Sequence, residues 1–258
     1  MRTLAIITLY TSILTVIGCR QADIVGTPPV KDVKGETQAL ELARAVAADE
    51  AAPDFRRIDA LLAIGTHGDG QTDIPKIEAL VAPLEKEMPD DEKSRFSVAW
   101  VHPSRPANVR QAAWVALAQL GQKQSLERVD LALRHQNPQV KAWGLMAATL
   151  VGGKRWLVPI ASLLDDDRPA LPVLFFTSPN GGGQMDISVA ALAAKAIYTL
   201  SDPKPKCSFP IEPYSRTEKQ YYGGIKGNRA NDPNWVQGYA CIRLSDEQRV
   251  EIRNWIKP

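Results

Sequence analysis

The sequence contains little of what catalytic and metal sites are usually built from. It has three cysteines and three histidines in 258 residues, and His67, His102 and His135 lie too far apart for metal-ligand spacing. It also lacks a G-x-S-x-G motif, a phosphate-binding P-loop and a dinucleotide-binding fingerprint. We therefore expect no catalytic site, no metal site and no cofactor.

Net charge and long apolar runs are scarce as well. The formal net charge is +2 at pH 7, and the Lys and Arg residues are scattered among acidic ones without a basic stripe, so no nucleic-acid partner is expected. The longest uncharged apolar run near the N-terminus covers residues 4–17. That is shorter than the roughly 20 residues that span a bilayer and typical of a signal-peptide core.

This run ends in Val16-Ile17-Gly18-Cys19, which resembles a bacterial lipobox. The resemblance implies that residues 1–18 are a removed signal peptide and that Cys19 carries the lipid. Arg20 after the cysteine suggests an outer-membrane location facing the periplasm. An ordinary cleaved signal peptide with an incidental cysteine is the alternative. Residues 19–37, rich in Gly and Pro, are predicted to be a flexible tether.

Cys207 and Cys241 remain as one candidate disulfide pair, because an exported protein folds where disulfides form. They bracket the segment with the least helical pattern, so residues 202–258 are predicted to be irregular and closed by this bridge. Two buried thiols are the alternative. Ser245 and Gln248 have capping-box spacing, which predicts a terminal helix from about residue 246 to residue 256.

Three stretches between these ends repeat one helical pattern. Apolar residues recur at the same helical steps from Val109, Val140 and Val189, which draws one stripe along each helix. Gly121 and Gly152 follow two of the stripes, where a helix C-cap takes a left-handed residue. An apolar helical segment precedes each copy, and a weaker pair occupies residues 39–64. The pattern predicts an all-α chain of about four stacked helical hairpins, with an ordinary helix bundle as the alternative.

Two of these stretches point to a family. NVRQAAWVALAQLG (108–121) and NPQVKAWGLMAATLVG (137–152) resemble the second helix of a HEAT repeat of the phycobilin-lyase type. RWLVPIASLLDDD (155–167) resembles the first helix, including Pro159. Ala190 departs from the basic residue that the family carries at its position. The resemblance covers residues 38–201 and implies an α-solenoid, but no particular function.

Two long insertions interrupt the predicted hairpins at the same edge. They are residues 95–106, with Phe96 and Trp100, and residues 168–183, with Phe175 and Phe176. Insertions at one edge of a repeat array often form its binding face, so these aromatic residues are candidate partner-binding residues. They would alternatively cover the helix ends. A second candidate surface is an exposed concave face with Arg110, Trp114 and Lys141.

Two acidic segments hint at cation binding. HGDGQTD (67–73) lacks the closing glutamate of a calcium loop, so we predict an inter-repeat turn there. The three aspartates 165–167 follow a helix, and we predict that they are the solvated start of a loop.

Together these observations predict a lipid-anchored envelope protein that binds another envelope protein and is not an enzyme. One alternative is a peptidoglycan- or glycan-binding module that uses Tyr221, Tyr222, Trp235 and Tyr239 as stacking groups. Another is a lyase or hydrolase, which the family resemblance suggests and the absent catalytic set disfavours.

Overall fold

A computed structural model describes residues 33–86, 106–178, 181–209 and 244–256. This part of the chain is mostly helical, as the all-α prediction requires. Its nine α-helices are α1 (Val33–Ala48), α2 (Asp54–His67), α3 (Gly70–Lys86), α4 (Val109–Gln119), α5 (Lys123–Arg134), α6 (Pro138–Val151), α7 (Leu157–Ala161), α8 (Val189–Leu200) and α9 (Asp246–Trp255). A 3-10 turn (Lys154–Trp156) leads into α7, and two strands, β1 (Pro169–Ser178) and β2 (Gly181–Ser188), separate α7 from α8.

Consecutive helices contact one another in pairs: α1 with α2, α3 with α4, α5 with α6, and α7 with α8. The second helix of each pair also contacts the second helix of the next pair, so that α2, α4, α6 and α8 form one row. These pairs are the ones that the apolar pattern predicts. We call α2, α4, α6 and α8 the central row.

Local sequence determines where the helices of the central row begin and end. The side chains of Asn108, Asn137 and Ser188 accept hydrogen bonds from backbone N–H groups in the first turns of α4, α6 and α8. Gly121 and Gly152 follow α4 and α6 with φ angles of 86° and 79°, the left-handed conformation that glycine adopts without strain. Both glycine positions therefore agree with the sequence prediction.

Helices α4, α6 and α8 of the central row are more deeply buried than a single stripe predicts. The stripe residues of α4, α6 and α8 are buried, except the last residue of each stripe, which is half-buried. Residues on the other sides of the same helices are buried too: Gln111, Trp114, Val115, Ala118, Ala142, Leu145, Met146, Ala190, Ala191 and Ala194. A helix that is buried on more than one side requires neighbours on more than one side.

Small residues bring some of these helices unusually close. A Cβ atom on Gly65 would lie 2.7 Å from Ala116 Cα, so α2 and α4 meet where no side chain fits between them. A Cβ atom on Gly144 would lie 2.9 Å from the Leu133 backbone nitrogen. Gly144 thus fits α6 against its own partner α5.

Two predictions differ from the structure: the conformation of one insertion and the start of the first helix. Residues 168–183, predicted to be a loop insertion, form most of an antiparallel β-hairpin in which Leu171 faces Ile187 and Phe175 faces Gly183. The β-branched and aromatic residues of β1, which are Val173, Phe175, Phe176 and Thr177, favour a strand. Helix α1 begins at Val33, inside the predicted tether 19–37.

The terminal helix agrees with its prediction. Helix α9 has the capping box, since Ser245 Oγ accepts a bond from the Gln248 backbone N–H and Gln248 Oε1 accepts one from the Ser245 N–H. Cys19 and the signal segment lie outside the described residues. Within the described ranges, no helix combines the length and the apolar character that crossing a bilayer requires.

Gly144→Leu should lower the free energy of unfolding by roughly 1–3 kcal/mol, because the new side chain would overlap the backbone of α5. Thermal or urea unfolding measures this loss. Gln124→Leu, at an exposed position of α5, adds the same side chain without an overlap and serves as the control. Equal stability of the two variants would contradict the close approach of α5 and α6.

Candidate functional site

The structure covers only part of the predicted binding edge. Phe96 and Trp100 lie outside the described residues. Phe175 and Phe176 are on β1, opposite Gly183 and Gly182 of β2. The described part of this edge is therefore the β-hairpin and the residues that hold its base.

The base of the hairpin belongs to the core. Ala170, Leu171 and Ile187 are buried, β1 contacts α6, and β2 contacts α8. The first two backbone N–H groups of α8 also bond to the segment before β1: Val189 N–H donates to the Arg168 carbonyl and Ala190 N–H to the Asp166 carbonyl. The hairpin is thus held at its base by apolar packing and by the otherwise unpaired donors of a helix start.

Asp166 joins three parts of the chain at this base. Its carboxylate accepts a bond of 2.7 Å from Lys141 Nζ of α6, and bonds of 2.8 and 2.7 Å from Nε and Nη2 of Arg168. Arg168 Nη1 in turn donates to the carbonyl of Gln136 in the turn between α5 and α6. The Arg168 guanidinium and the Lys141 ammonium hold the pKa of Asp166 well below its usual range.

The neighbouring aspartates hold the C-terminal helix. Both carboxylate oxygens of Asp165 lie 2.6 Å from Arg253 Nη2, and both oxygens of Asp167 lie 2.6 Å from Arg249 Nη2. Three consecutive aspartates therefore alternate in direction, with the outer two facing α9 and the middle one facing α6. The prediction of a solvated loop start agrees with Asp165 and Asp167, whose side chains are 65% and 51% exposed, but not with Asp166, which is almost buried and paired with Lys141 and Arg168.

An open depression of about 720 Å³ lies at the base of β1, lined by Ser162, Asp165, Asp166, Asp167, Arg168 and Pro169. Its acidic lining is paired with cationic side chains of this same chain. Among the described residues, no cluster of three or more His, Cys, Asp or Glu side chains is arranged to hold a metal ion.

The predicted concave face is wrong for Trp114. Only 2% of Trp114 is exposed, because its ring lies against the edge of Trp143, with 5.8 Å between ring centroids. The Arg128 guanidinium of α5 covers the ring at 3.9 Å. Arg110 Nη1 donates to the Leu84 carbonyl, and Lys141 is paired with Asp166. Trp114 is thus a core residue, Arg110 ties α4 to α3, and Lys141 ties α6 to the segment before β1.

A shallow part of the central row remains open between α6 and α8. The groove there has a volume of about 170 Å³ and is lined mainly by apolar residues, with Lys195 and two threonines at its border. The stripe pattern did not indicate it, because most of its lining residues lie beside the stripe.

Within the segment 67–73, Gly68 and Asp69 form the predicted turn between α2 and α3, while residues 70–73 are already the first turn of α3. Asp73 is 1% exposed and accepts bonds of 2.7 and 2.8 Å from Nε and Nη2 of Arg44. The Asp69 backbone N–H donates to the same carboxylate. Arg44 lowers the pKa of Asp73, so this carboxylate ties α1 to α3 as an ion.

Cys207 is a free thiol in the structure, and its Sγ lies 2.9 Å from the Phe209 carbonyl oxygen. Burial raises the pKa of this thiol. Cys241 lies outside the described residues, so the bridge between the two stays a prediction. Tyr221, Tyr222, Trp235 and Tyr239, the candidate glycan-stacking groups, also lie outside the described residues.

Asp166→Asn should lower the free energy of unfolding at pH 7 by about 3 kcal/mol, because Lys141 would remain almost buried without its counter-ion. The folded pKa of Asp166 lies below the unfolded value of about 3.9, so its contribution is present above that pH and is lost as pH falls through the folded pKa. The difference between wild type and variant should therefore shrink below about pH 4.

Urea unfolding at several pH values measures this difference. Asp165→Asn is the matched control: its carboxylate is 65% exposed, so its loss should cost about 1 kcal/mol or less. Equal destabilisation by the two variants at pH 7 would contradict the role of Asp166 as the junction of the site.

Comparisons of the chain with models of known protein families, with curated proteins and with solved structures find no match. The functional interpretation therefore depends on the hairpin, the three aspartates at its base and the N-terminal sequence.

Proposed function

We propose that this protein is a membrane-anchored envelope lipoprotein that acts as a protein-binding scaffold and is not an enzyme. In this proposal the lipid is attached to Cys19, and the mature protein faces the periplasm from the outer membrane. The partner is another envelope protein that contacts the edge carrying residues 95–106 and the β-hairpin.

The order of helix contacts supports a short α-solenoid of four HEAT-like hairpins as the scaffold. Each pair contacts the next through the central row, as stacked repeats do. Solenoids present long surfaces and carry insertions at one edge, where partners bind. The β-hairpin is such an insertion, between the two helices of the last pair.

The hairpin is the observation that carries the proposal. Strand β1 has 10 residues and is roughly 33 Å long, whereas α6, which it contacts, has 14 residues and is roughly 21 Å long. The hairpin is therefore too long to be covered by that helix alone. Its sequence has no charged residue between Arg168 and Asp186.

Such a hairpin is suited to binding a protein strand. In the described residues β1 and β2 pair only with each other, so each strand has an outer edge whose backbone groups lack a strand partner. Natural edge strands usually carry charges or prolines that prevent pairing; β1 carries Pro169 and Pro172, whereas β2 carries only Asp186, so β2 offers the more available edge. Addition of an extended segment from a partner would satisfy these backbone groups.

Replacing residues 172–185 by a short Gly-Asn turn should remove partner capture and leave the fold intact, since Leu171 and Ile187 keep the buried base. Mild crosslinking in envelope membranes, followed by co-purification, measures capture. The matched control is Leu131→Ala, which removes a 63% exposed apolar side chain from the outer surface of α5. Undiminished capture by the shortened variant would contradict the hairpin as the binding site. Capture of cell-wall fragments instead of a protein would favour a glycan-binding module.

Cys19→Ala should leave an unprocessed precursor that incorporates no lipid label, because the thiol is the lipid acceptor. The wild-type protein should partition into membranes, since multiple acyl chains exceed the two anchoring signals that stable attachment needs. Labelling with a radioactive fatty acid measures lipid attachment, and membrane fractionation measures partitioning into membranes. A variant that is processed and labelled like wild type would contradict the lipoprotein proposal.

A further inference from the structure

The hairpin pairs both phenylalanines of β1 with glycines. In its antiparallel register, Phe175 faces Gly183 and Phe176 faces Gly182. A directly paired residue normally offers a side chain at a distance of about 5 Å, and such cross-strand pairs stabilise a sheet. Because glycine has no side chain, β2 offers none at these two positions. The hairpin therefore lacks cross-strand side-chain pairs at the two aromatic positions of β1.

The two phenylalanine–glycine pairs lie on opposite faces of the hairpin. Directly paired residues share a face, and consecutive residues of a strand alternate between the faces. Phe175 therefore shares the face of Leu171 and Ile187, which are paired with each other and buried at the base. Phe176, the next residue, lies on the other face. Each face of the hairpin thus has one phenylalanine beside a position without a side chain.

Strand β2 is the edge from which both empty positions can be covered. Among the described residues it pairs with β1 alone, and its sequence contains no proline. A strand added beyond β2 would lie about 9.6 Å from β1, which is two strand spacings. Large side chains on these two outer strands can meet over a glycine of the strand between them, as aromatic residues do when they compensate for glycines in sheets.

The single charged residue of β2 adds a second requirement. Asp186 shares a face with Gly182, because the two are four residues apart on one strand. A basic residue opposite this carboxylate would stabilise an added strand, whereas an acidic one would destabilise it. The complementary strand therefore has two adjacent large apolar residues opposite Gly182 and Gly183, and a basic residue opposite Asp186.

We propose that β2 accepts an extended segment of the partner protein as a third, antiparallel strand of this sheet. In the direction of its chain, the segment has a basic residue, two intervening residues and then two adjacent large apolar residues. Antiparallel pairing is the slightly more stable arrangement per residue. Backbone hydrogen bonds supply the affinity, and the three named side chains supply the selectivity. This inference rests on the proposed function, because it names the segment that the hairpin binds.

A synthetic peptide tests the proposal with the full chain. The probe is the amidated peptide Thr-Thr-Lys-Thr-Thr-Phe-Val-Thr with a fluorophore at its N-terminus. In the proposed register its Lys lies opposite Asp186, and its Phe and Val lie opposite Gly183 and Gly182. The control peptide has Glu in place of Lys and Gly in place of Phe and Val. Fluorescence anisotropy measures the dissociation constant, and hydrogen exchange with peptide resolution measures which segment is covered.

Gly182→Thr combined with Gly183→Thr should weaken binding of the probe by at least about tenfold. The threonine side chains would occupy the space that the Phe and Val of the probe require. Threonine favours strands, so the hairpin itself should be retained, which circular dichroism and hydrogen exchange check. The matched control is Gln184→Thr, which places the same residue on β2 where a side chain is already present. It should change the dissociation constant by less than about threefold.

Asp186→Lys tests the charge requirement separately. It should weaken binding of the probe and strengthen binding of a version with Glu in place of Lys, because the opposite charges are then exchanged between the two strands. A variant that still prefers the Lys peptide would contradict the placement of the basic residue.

We expect the wild-type chain to bind the probe at least about tenfold more tightly than the control peptide, with slower hydrogen exchange in β2. Absence of binding at about 1 mM, equal affinity of wild type and the double threonine variant, or protection of a different segment overturns the inference. These outcomes differ from a failure of the proposed function, in which the chain with a shortened hairpin still captures its partner. If capture needs the hairpin but wild type and the double threonine variant capture equally, this inference alone is wrong.

Discussion

The deep burial of α4, α6 and α8 is the constraint on which the rest of the structure depends. Because their buried residues extend beyond a single stripe, each of these helices needs both its partner helix and a neighbour in the row. Gly65 and Gly144 allow two of these contacts to be close. Burial also leaves little of these three helices exposed. The surfaces available for binding are therefore the edges, the hairpin and the short groove between α6 and α8.

The three aspartates at the base of the hairpin connect this core to the two elements outside it. Asp166 links α6, the turn before it and Arg168 next to β1, while Asp165 and Asp167 hold α9. The middle pair is almost buried, with 12% of each side chain exposed, and the outer pairs are screened by water. Loss of the middle pair should therefore disturb the fold, and loss of the outer pairs should mainly release the C-terminal helix.

Much of the helical framework could be predicted because its signals are local. The apolar stripes lie within the helices that they predict. The glycines after α4 and α6 and the capping box of α9 lie within a few residues of the helix ends that they mark. The orientation of Trp114 could not be predicted, because buried residues of α4 extend beyond its apolar stripe and the stripe marks only one of the buried sides. The partners of Asp165 and Asp167 lie more than eighty residues away. The hairpin could have been predicted, because β1 contains β-branched and aromatic residues that favour a strand. The sequence analysis instead interpreted these residues as part of a loop.

The central claim is that α4, α6 and α8 unfold as one buried row. Native-state hydrogen exchange, measured by mass spectrometry with peptide resolution, tests it most directly. We predict that amides of all three helices exchange with the same free energy of opening, equal to that of global unfolding. Amides of α9 should exchange with a lower free energy of opening. Exchange of α6 at a rate as fast as that of α9, with α4 and α8 still protected, would contradict it.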